Sequence, residues 1–198
     1  MFAEAGADVV DADRIARRVS GRPEIRKAIR RAFGPGVIGP DGRLIRAELA
    51  RRVFTDARAR SRLNRLIHPA VRREVRRRVA AARKAGRPVV LDVPLLAESP
   101  LRGLCDRILF LRCRRAVRAR RVATRGWTPG ELGRREGAQL SLKRKRKLAD
   151  SVMDNDGTLA GLRARVRALL RAWAAEAGGT PARRHAGRNR FIHRRSAK

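Results

Sequence analysis

The sequence predicts an α/β protein: a parallel sheet interrupted by a large helical insertion. Three observations carry that prediction. In the stretch Ala7-Asp8-Val9-Val10-Asp11-Ala12-Asp13-Arg14, β-branched apolar residues run into two carboxylates. Ile15, Ala16 and Val19 then follow at helical spacing, giving a strand, a turn and a helix. Residues 88–93 (PVVLDV) and 106–111 (DRILFL) are apolar on both faces, as central parallel strands are. Helical segments, rather than short hairpin turns, separate the strands.

The elements follow in order. Phe2, Ala3 and Ala5 before Gly6 read as the end of a helix with a glycine cap, so that a helix starting at Met1 looks cut short. The strand at Val9-Val10 stops on Asp11 and Asp13, at the strand edge where open α/β sheets bind ligands. A carboxylate there can take a proton from a substrate hydroxyl or hold Mg²⁺ through a water; it can equally do no more than cap the next helix. Residues 14–33 are helical with a break at Gly21-Arg22-Pro23, and Ile25, Ile29 and Phe33 form one stripe. Gly39-Pro40-Asp41-Gly42 is a turn. Short helices are expected at 47–53 and 56–67, and His68-Pro69 is expected to open a longer one to about residue 86, with Pro69 in its first position.

After the strand at 88–93, Pro94-Leu95-Leu96 ends the run, and residues 106–111 form the next strand. Residues 114–125 make a very basic helix. Thr128, Pro129 and Glu131 have the spacing of a helix start, for a helix to about residue 142. A basic run at 143–147, a short strand at 150–153 and a turn at Asn155-Asp156-Gly157 come next. Thr158 caps a long amphipathic helix carrying Leu159, Leu162, Val166, Leu169, Leu170 and Trp173, which Gly178-Gly179 ends. No internal repeat is present.

The composition limits the function classes. Hydrophobic residues at 43% are enough for a globular core in 198 residues. The net charge of +33 is nearly all arginine, since lysine occurs only at 27, 84, 143, 145, 147 and 198. Such charge suits a polyanionic partner, whether nucleotide phosphates or nucleic acid, although arginine codons are also G+C-rich. Cys105 and Cys113 lack the spacing of a zinc site or a disulfide framework and read as small core residues in a reducing compartment. No apolar run is long enough to cross a membrane and no signal region opens the chain, so a cytoplasmic location is expected.

Several short motifs line up in one order. They are the VVDAD stretch with Arg14-Ile15-Ala16; Phe33-Gly34; Asp41-Gly42-Arg43-Leu44; Val53-Phe54-Thr55-Asp56; and Leu66-Ile67-His68-Pro69. Then come VVLDVPLL, Arg121 and Arg125 with Gly126 and Gln139, Ala149-Asp150, and Asp154-Asn155-Asp156-Gly157. In that order they resemble the dephospho-CoA kinase family. The resemblance implies the fold of P-loop nucleoside kinases, with a parallel sheet, a helical substrate domain and a lid. It implies transfer of the γ-phosphoryl of ATP, with Mg²⁺, to the 3′-hydroxyl of dephospho-CoA, the last step of coenzyme A biosynthesis. On that resemblance residues 1–13 and 87–177 form the nucleotide-kinase core, with the lid at about 114–147. Residues 14–86 form the helical substrate domain, and 178–198 a basic disordered tail.

The same resemblance makes Asp13 the general base and Arg121, Arg125 and Lys145 the phosphate contacts. Asp11, Arg14 and His68 fall on the substrate side, and no protein metal ligand is assigned. Phosphoryl transfer needs positive charge spread around three oxygens and a base near the acceptor, which suits these residue types. Each has a plainer alternative. Asp11 or Asp13 can be a cap, the arginines a solvated face, and His68 a helix-start residue. Asp92 resembles a Walker-B acid beside a metal. Ile45 stands where the family often has Asp, before a matching Arg46.

One departure stands at the front. The family's Gly-x-x-x-x-Gly-Lys-Ser/Thr loop is absent, and the sequence contains no Gly-Lys dipeptide. The strand that precedes that loop is central, between the strands at 88–93 and 106–111. The expectation is therefore that it lies upstream of Met1, and that the chain without it folds poorly and lacks kinase activity. The alternatives are an inactive short product of the same fold and a basic nucleic-acid-binding protein. The latter calls for aromatic stacking platforms, and aromatics are only 4%. The tail, residues 180–198, is basic and free of acids. Its removal from an active full-length protein is expected to leave dephospho-CoA phosphorylation intact and to weaken salt-sensitive RNA or DNA binding. Loss of phosphorylation would instead put the tail in the active site.

Overall fold

The computed structural model describes residues 1–177. The glycine stop at 178–179 and the basic tail lie outside the described residues. Four strands and eight α-helices run in the order β1 (Asp8–Asp11), α1 (Ala12–Ser20), α2 (Pro23–Phe33), α3 (Arg46–Thr55), α4 (Ala57–Lys84), β2 (Val89–Asp92), β3 (Leu109–Arg112), α5 (Arg115–Ala123), α6 (Pro129–Gly137), α7 (Leu142–Lys147), β4 (Ser151–Asp154) and α8 (Leu159–Ala177). Two compact units result: Ala7–Pro94, and Met1–Gly6 with the chain from Leu95 onward. The strands form two parallel two-stranded sheets, β1 with β2 and β3 with β4. Among the described residues the second edge of β2 and of β3 carries no strand.

In the unit Ala7–Pro94 the register pairs Val10 with Leu91 and Asp11 with Asp92. It is set at the strand starts: Asp8 N donates to the Pro88 carbonyl at 2.8 Å, and the Arg87 guanidinium donates to Asp8 Oδ2 at 3.0 and 2.9 Å. Strand alternation sends Val10 inward, 3% exposed, and leaves Val9 at 42%. The same holds in the other unit for Met153 (7%) and Val152 (43%). β1 and β4 therefore each leave one face open to solvent; in β2, Val89, Val90 and Leu91 are all half-buried, and in β3 Leu111 is exposed where the apolar run predicted cover on both faces.

α4 corrects the expected break at His68-Pro69. It is one helix of 28 residues with Pro69 inside it. Proline removes the N–H that would bond the Arg65 carbonyl, which disfavours an interior position. What carries the helix through is its apolar face, which stays in phase on both sides. Leu63, Leu66 and Ile67 pack against the buried cluster of Ile29, Val37 and Leu49. Ala70, Val71, Val75, Val79 and Ala82 are buried on the far side. Helix packing outweighs the one missing bond. The helix's single acid, Glu74, accepts from Arg77 and Arg78 at 2.8–3.0 Å and lies 3.7 Å from Arg22. The hydrogen bonds of Arg77 and Arg78 hold its carboxyl down to about 2.

The turn at residues 39–42 closes with Gly42 N donating to the Gly39 carbonyl at 2.9 Å. Gly42 sits at φ +72°, and Ile38 bridges Leu44. Arg26 of α2 donates to the Gly42 carbonyl and pins this turn to α2, and Arg52 of α3 donates to the Phe33 carbonyl at the end of α2.

In the other unit Ile108 N donates to Asp150 Oδ2 at 2.8 Å, and Arg112 pairs with Asp154 at 2.7 Å, across the β3–β4 pair. Thr128 Oγ1 accepts from Glu131 N at 3.2 Å with Pro129 at the first helical position, the start that the sequence predicts for α6. α6 ends at Gly137, short of residue 142. The basic run 143–147 is not a loop but most of α7, capped by Ser141 Oγ accepting from Arg144 N at 3.3 Å. A serine cap and a glycine stop split what periodicity alone joins. Thr158 Oγ1 accepts from Gly161 N at 3.2 Å at the start of α8. Residues Ala3–Ala5 form a 3₁₀ turn closed by Gly6 at φ +88°. Cys105 and Cys113 form no disulfide among the described residues and are half-buried rather than core.

Ile29 is fully buried at the centre of its cluster. Ile29→Ala is expected to lower unfolding free energy by about 2–5 kcal/mol in urea titration. A loss under about 1 kcal/mol would show that the cluster collapses into the space left.

Candidate active site

Parallel strands bring their carboxyl ends to the same edge, and here each of the paired strands ends in aspartate. Asp11 closes β1, Asp92 closes β2, and the register sets them opposite one another. Asp11 is also the N-cap of α1, its Oδ1 accepting from Arg14 N at 2.8 Å, so the capping alternative holds for Asp11. Asp13 lies in the first turn of α1 and is exposed, while Ala12 between them is buried. Asp11, Asp13, Arg14, Arg17, Asp92 and Pro94 line a cleft of about 390 Å³. Burial, followed by the nearby charges of Asp11 and Asp13, raises the Asp92 carboxyl above its ordinary value. The cleft thus sets three carboxylates against two guanidinium groups. It offers a proton acceptor beside fixed positive charge, which suits a hydroxyl nucleophile attacking an anion.

Of the residues singled out by the sequence, Asp11, Asp13, Arg14 and Asp92 line this cleft. His68 is exposed on α4 and is not among the lining residues. Loss of solvent and then Arg72 lower its imidazole below the usual value. Arg121, on α5, has Nη1 3.7 Å from Cys113 Sγ. Burial and a hydrogen bond with Asp156 push the Cys113 thiol up, so it stays protonated beside that arginine. Arg125 is exposed in the turn after α5, where Gly126 takes φ +78°. Lys145, on α7, donates to Gln139 Oε1 at 2.7 Å and is 3.6 Å from Glu98. Sequence reasoning passed over Arg17 and Glu98. Arg17 was findable, because it lies one helical turn beyond Asp13. Glu98 gives no local signal, since its partners stand 42 or more residues away.

A family model described as dephospho-CoA kinase matches residues 1–161. The chain belongs to the dephospho-CoA kinase family. It is 44% identical over 186 residues to the dephospho-CoA kinase of Symbiobacterium thermophilum, covering 92% of this chain and 77% of that protein. With the Leifsonia xyli dephospho-CoA kinase the identity is 47%, over 87% of this chain and 88% of the relative. The crystal structure of a Thermus thermophilus protein superposes with a TM-score of 0.70 at 34% identity, covering 88% of this chain and 87% of that one. The Campylobacter jejuni dephospho-CoA kinase shares the fold with a TM-score of 0.68 at 17% identity, over 88% and 89%. Parallel strands edged by helices are thus those of the P-loop kinase fold in this family, and the chain is kinase-class.

Among the described residues no group of three or more His, Cys, Asp or Glu is placed to hold a metal ion. No helix among them is long and apolar enough to cross a membrane.

Because the folded state raises the Asp92 carboxyl, keeping it ionised costs stability. The cost is absent below the unfolded-state value near 3.8 and grows as pH rises through the higher folded-state value. Asp92→Asn is therefore expected to raise Tm at neutral pH. The gain should shrink to nothing as pH falls below about 4 in thermal melts across a pH series. A gain that persists unchanged in acid would reject this electrostatic account.

Proposed function

We propose that Asp13 is the general base of a dephospho-CoA kinase reaction, in which ATP phosphorylates the 3′-hydroxyl of dephospho-CoA. The observation that supports this reading most is the cleft at the carboxyl ends of β1 and β2, with Asp13 exposed between Asp11 and Arg14. Asp11 is committed to its cap, and burial raises the Asp92 carboxyl above its ordinary value. Among the described residues Asp13 makes no side-chain hydrogen bond or ion pair, and it is open to a substrate hydroxyl. In the reaction the 3′-oxygen attacks the γ-phosphorus and its proton passes to the Asp13 carboxylate. The bond from the γ-phosphorus to the β–γ bridging oxygen breaks, and ADP leaves.

Arg14 and Arg17 supply positive charge at this cleft. We assign the ATP phosphates to Arg121, Arg125 and Lys145, and the substrate side to Asp11, Arg14 and His68. The substrate domain spans residues 14–86 and the lid about 114–147. Mg²⁺ would arrive on the ATP phosphates, whose charge it offsets. Among the described residues the Arg121 guanidinium meets only the Cys113 thiol, a weak acceptor that competes little with phosphate.

In an active full-length protein, Asp13→Asn is expected to lower kcat for dephospho-CoA phosphorylation on the order of 10²-fold or more, with ATP binding retained. Turnover within a few fold of the parent would reject the base assignment.

A further inference from the structure

Residues 143–147 are five consecutive cations, and only one of them is treated differently by the fold. Lys145 is half-buried, its side chain 16% exposed, while Lys143, Arg144, Arg146 and Lys147 are exposed. Among the described residues those four have no side-chain hydrogen bond or ion pair, whereas Lys145 has two acceptors. Gln139 Oε1 takes a hydrogen bond at 2.7 Å, and Glu98 Oε1 faces the ammonium at 3.6 Å. The same Glu98 oxygen accepts from Leu140 N at 2.9 Å.

Both acceptors are themselves held. Glu98 ends a 3₁₀ turn, Leu96–Glu98, whose following residue Ser99 caps the next turn by accepting from Leu101 N at 3.2 Å, and Leu101 is buried. Gln139 lies in the connection from α6 to α7. There Ala138 N donates to the Arg134 carbonyl at 3.1 Å and Gln139 N to the Glu136 carbonyl at 3.3 Å. The Leu140 N–H, which would otherwise be an unmatched donor in that connection, goes to Glu98. One carboxylate therefore fixes a connection between two helices and faces the one ordered ammonium that the connection leads into.

An ammonium carries three donors. Gln139 uses one and Glu98 draws a second, which leaves the group oriented with a donor free for an incoming anion. We propose that Glu98 and Gln139 are positioning residues for Lys145, holding its ammonium in place for the phosphates of ATP. This rests on the assignment of Lys145 to those phosphates. An unheld lysine would have to be immobilised from four rotatable bonds when the nucleotide arrives, and Glu98 and Gln139 bear that ordering in advance.

The test is a double-mutant cycle on the full chain, read as ATP affinity by titration calorimetry, which does not depend on turnover. Glu98→Gln keeps an amide oxygen for the Leu140 N–H and removes the charge facing Lys145. Lys145→Ala is expected to weaken ATP binding about tenfold and Glu98→Gln about three- to tenfold, while the double variant matches Lys145→Ala alone. An equal penalty from Glu98→Gln in both backgrounds would make Glu98 merely structural and overturn the proposal. So would unchanged binding in Glu98→Gln when Lys145→Ala is impaired. Unchanged binding in Lys145→Ala would overturn the phosphate assignment itself, and the proposal with it. Should Glu98→Gln lose its cooperative melt, Gln139→Ala takes its place in the cycle. It removes the 2.7 Å acceptor and leaves the Leu140 bond to Glu98 in place.

Discussion

The register of β1 against β2 is the constraint on which the cleft depends. A parallel pair puts both carboxyl ends at one edge, and the Asp8–Arg87 pairing with the Asp8–Pro88 bond fixes where that edge falls. A slip of one residue would turn Val10 outward and move Asp11 away from Asp92. It would also move the α1 N-terminus, whose cap is Asp11. One hydrogen-bonded register thus sets the helix start, the burial of Ala12 and Ile15, and the place of Asp13.

The distribution of charge shows why a chain with +33 formal charge still folds. The few acids are placed where they serve several cations. Glu74 answers Arg77, Arg78 and Arg22; Glu48 answers Arg51 and Arg52; and Asp156 accepts from Arg114. Exposed pairs of this kind contribute little individually. Their effect is to choose which arginines are tied. Those left free are what a phosphate can reach, so the acid placement decides where anion binding is available. The Arg135 guanidinium covers one face of the Trp127 ring, 4.0 Å from its centroid.

Much of this was legible in the sequence where the signal is local. The carboxylates after Val9-Val10, the Thr128-Pro129-Glu131 start, the Thr158 cap and the Gly42 turn all depend on neighbours within four residues, and all appear as read. The two misread boundaries come from competition between a local breaker and packing. Pro69 looked like a helix start and lost to a continuous apolar face, while Ser141 looked like helix interior and won as a cap. The carboxylate cleft was half legible. Asp11, Asp13 and Arg14 stand together in the chain, but Asp92 joins them only through strand pairing across some eighty residues of sequence. Glu98 was illegible for the same reason.

α4 is a rod of roughly 42 Å that performs two jobs at its two ends. Its first half closes the cluster around Ile29, and its second half lies beneath α1 and β1, which carry Asp11 and Asp13. A continuous helix between them would transmit every tilt of one end to the other. Pro69 sits between the halves and takes one rung out of the ladder, which makes that point the softest in bending.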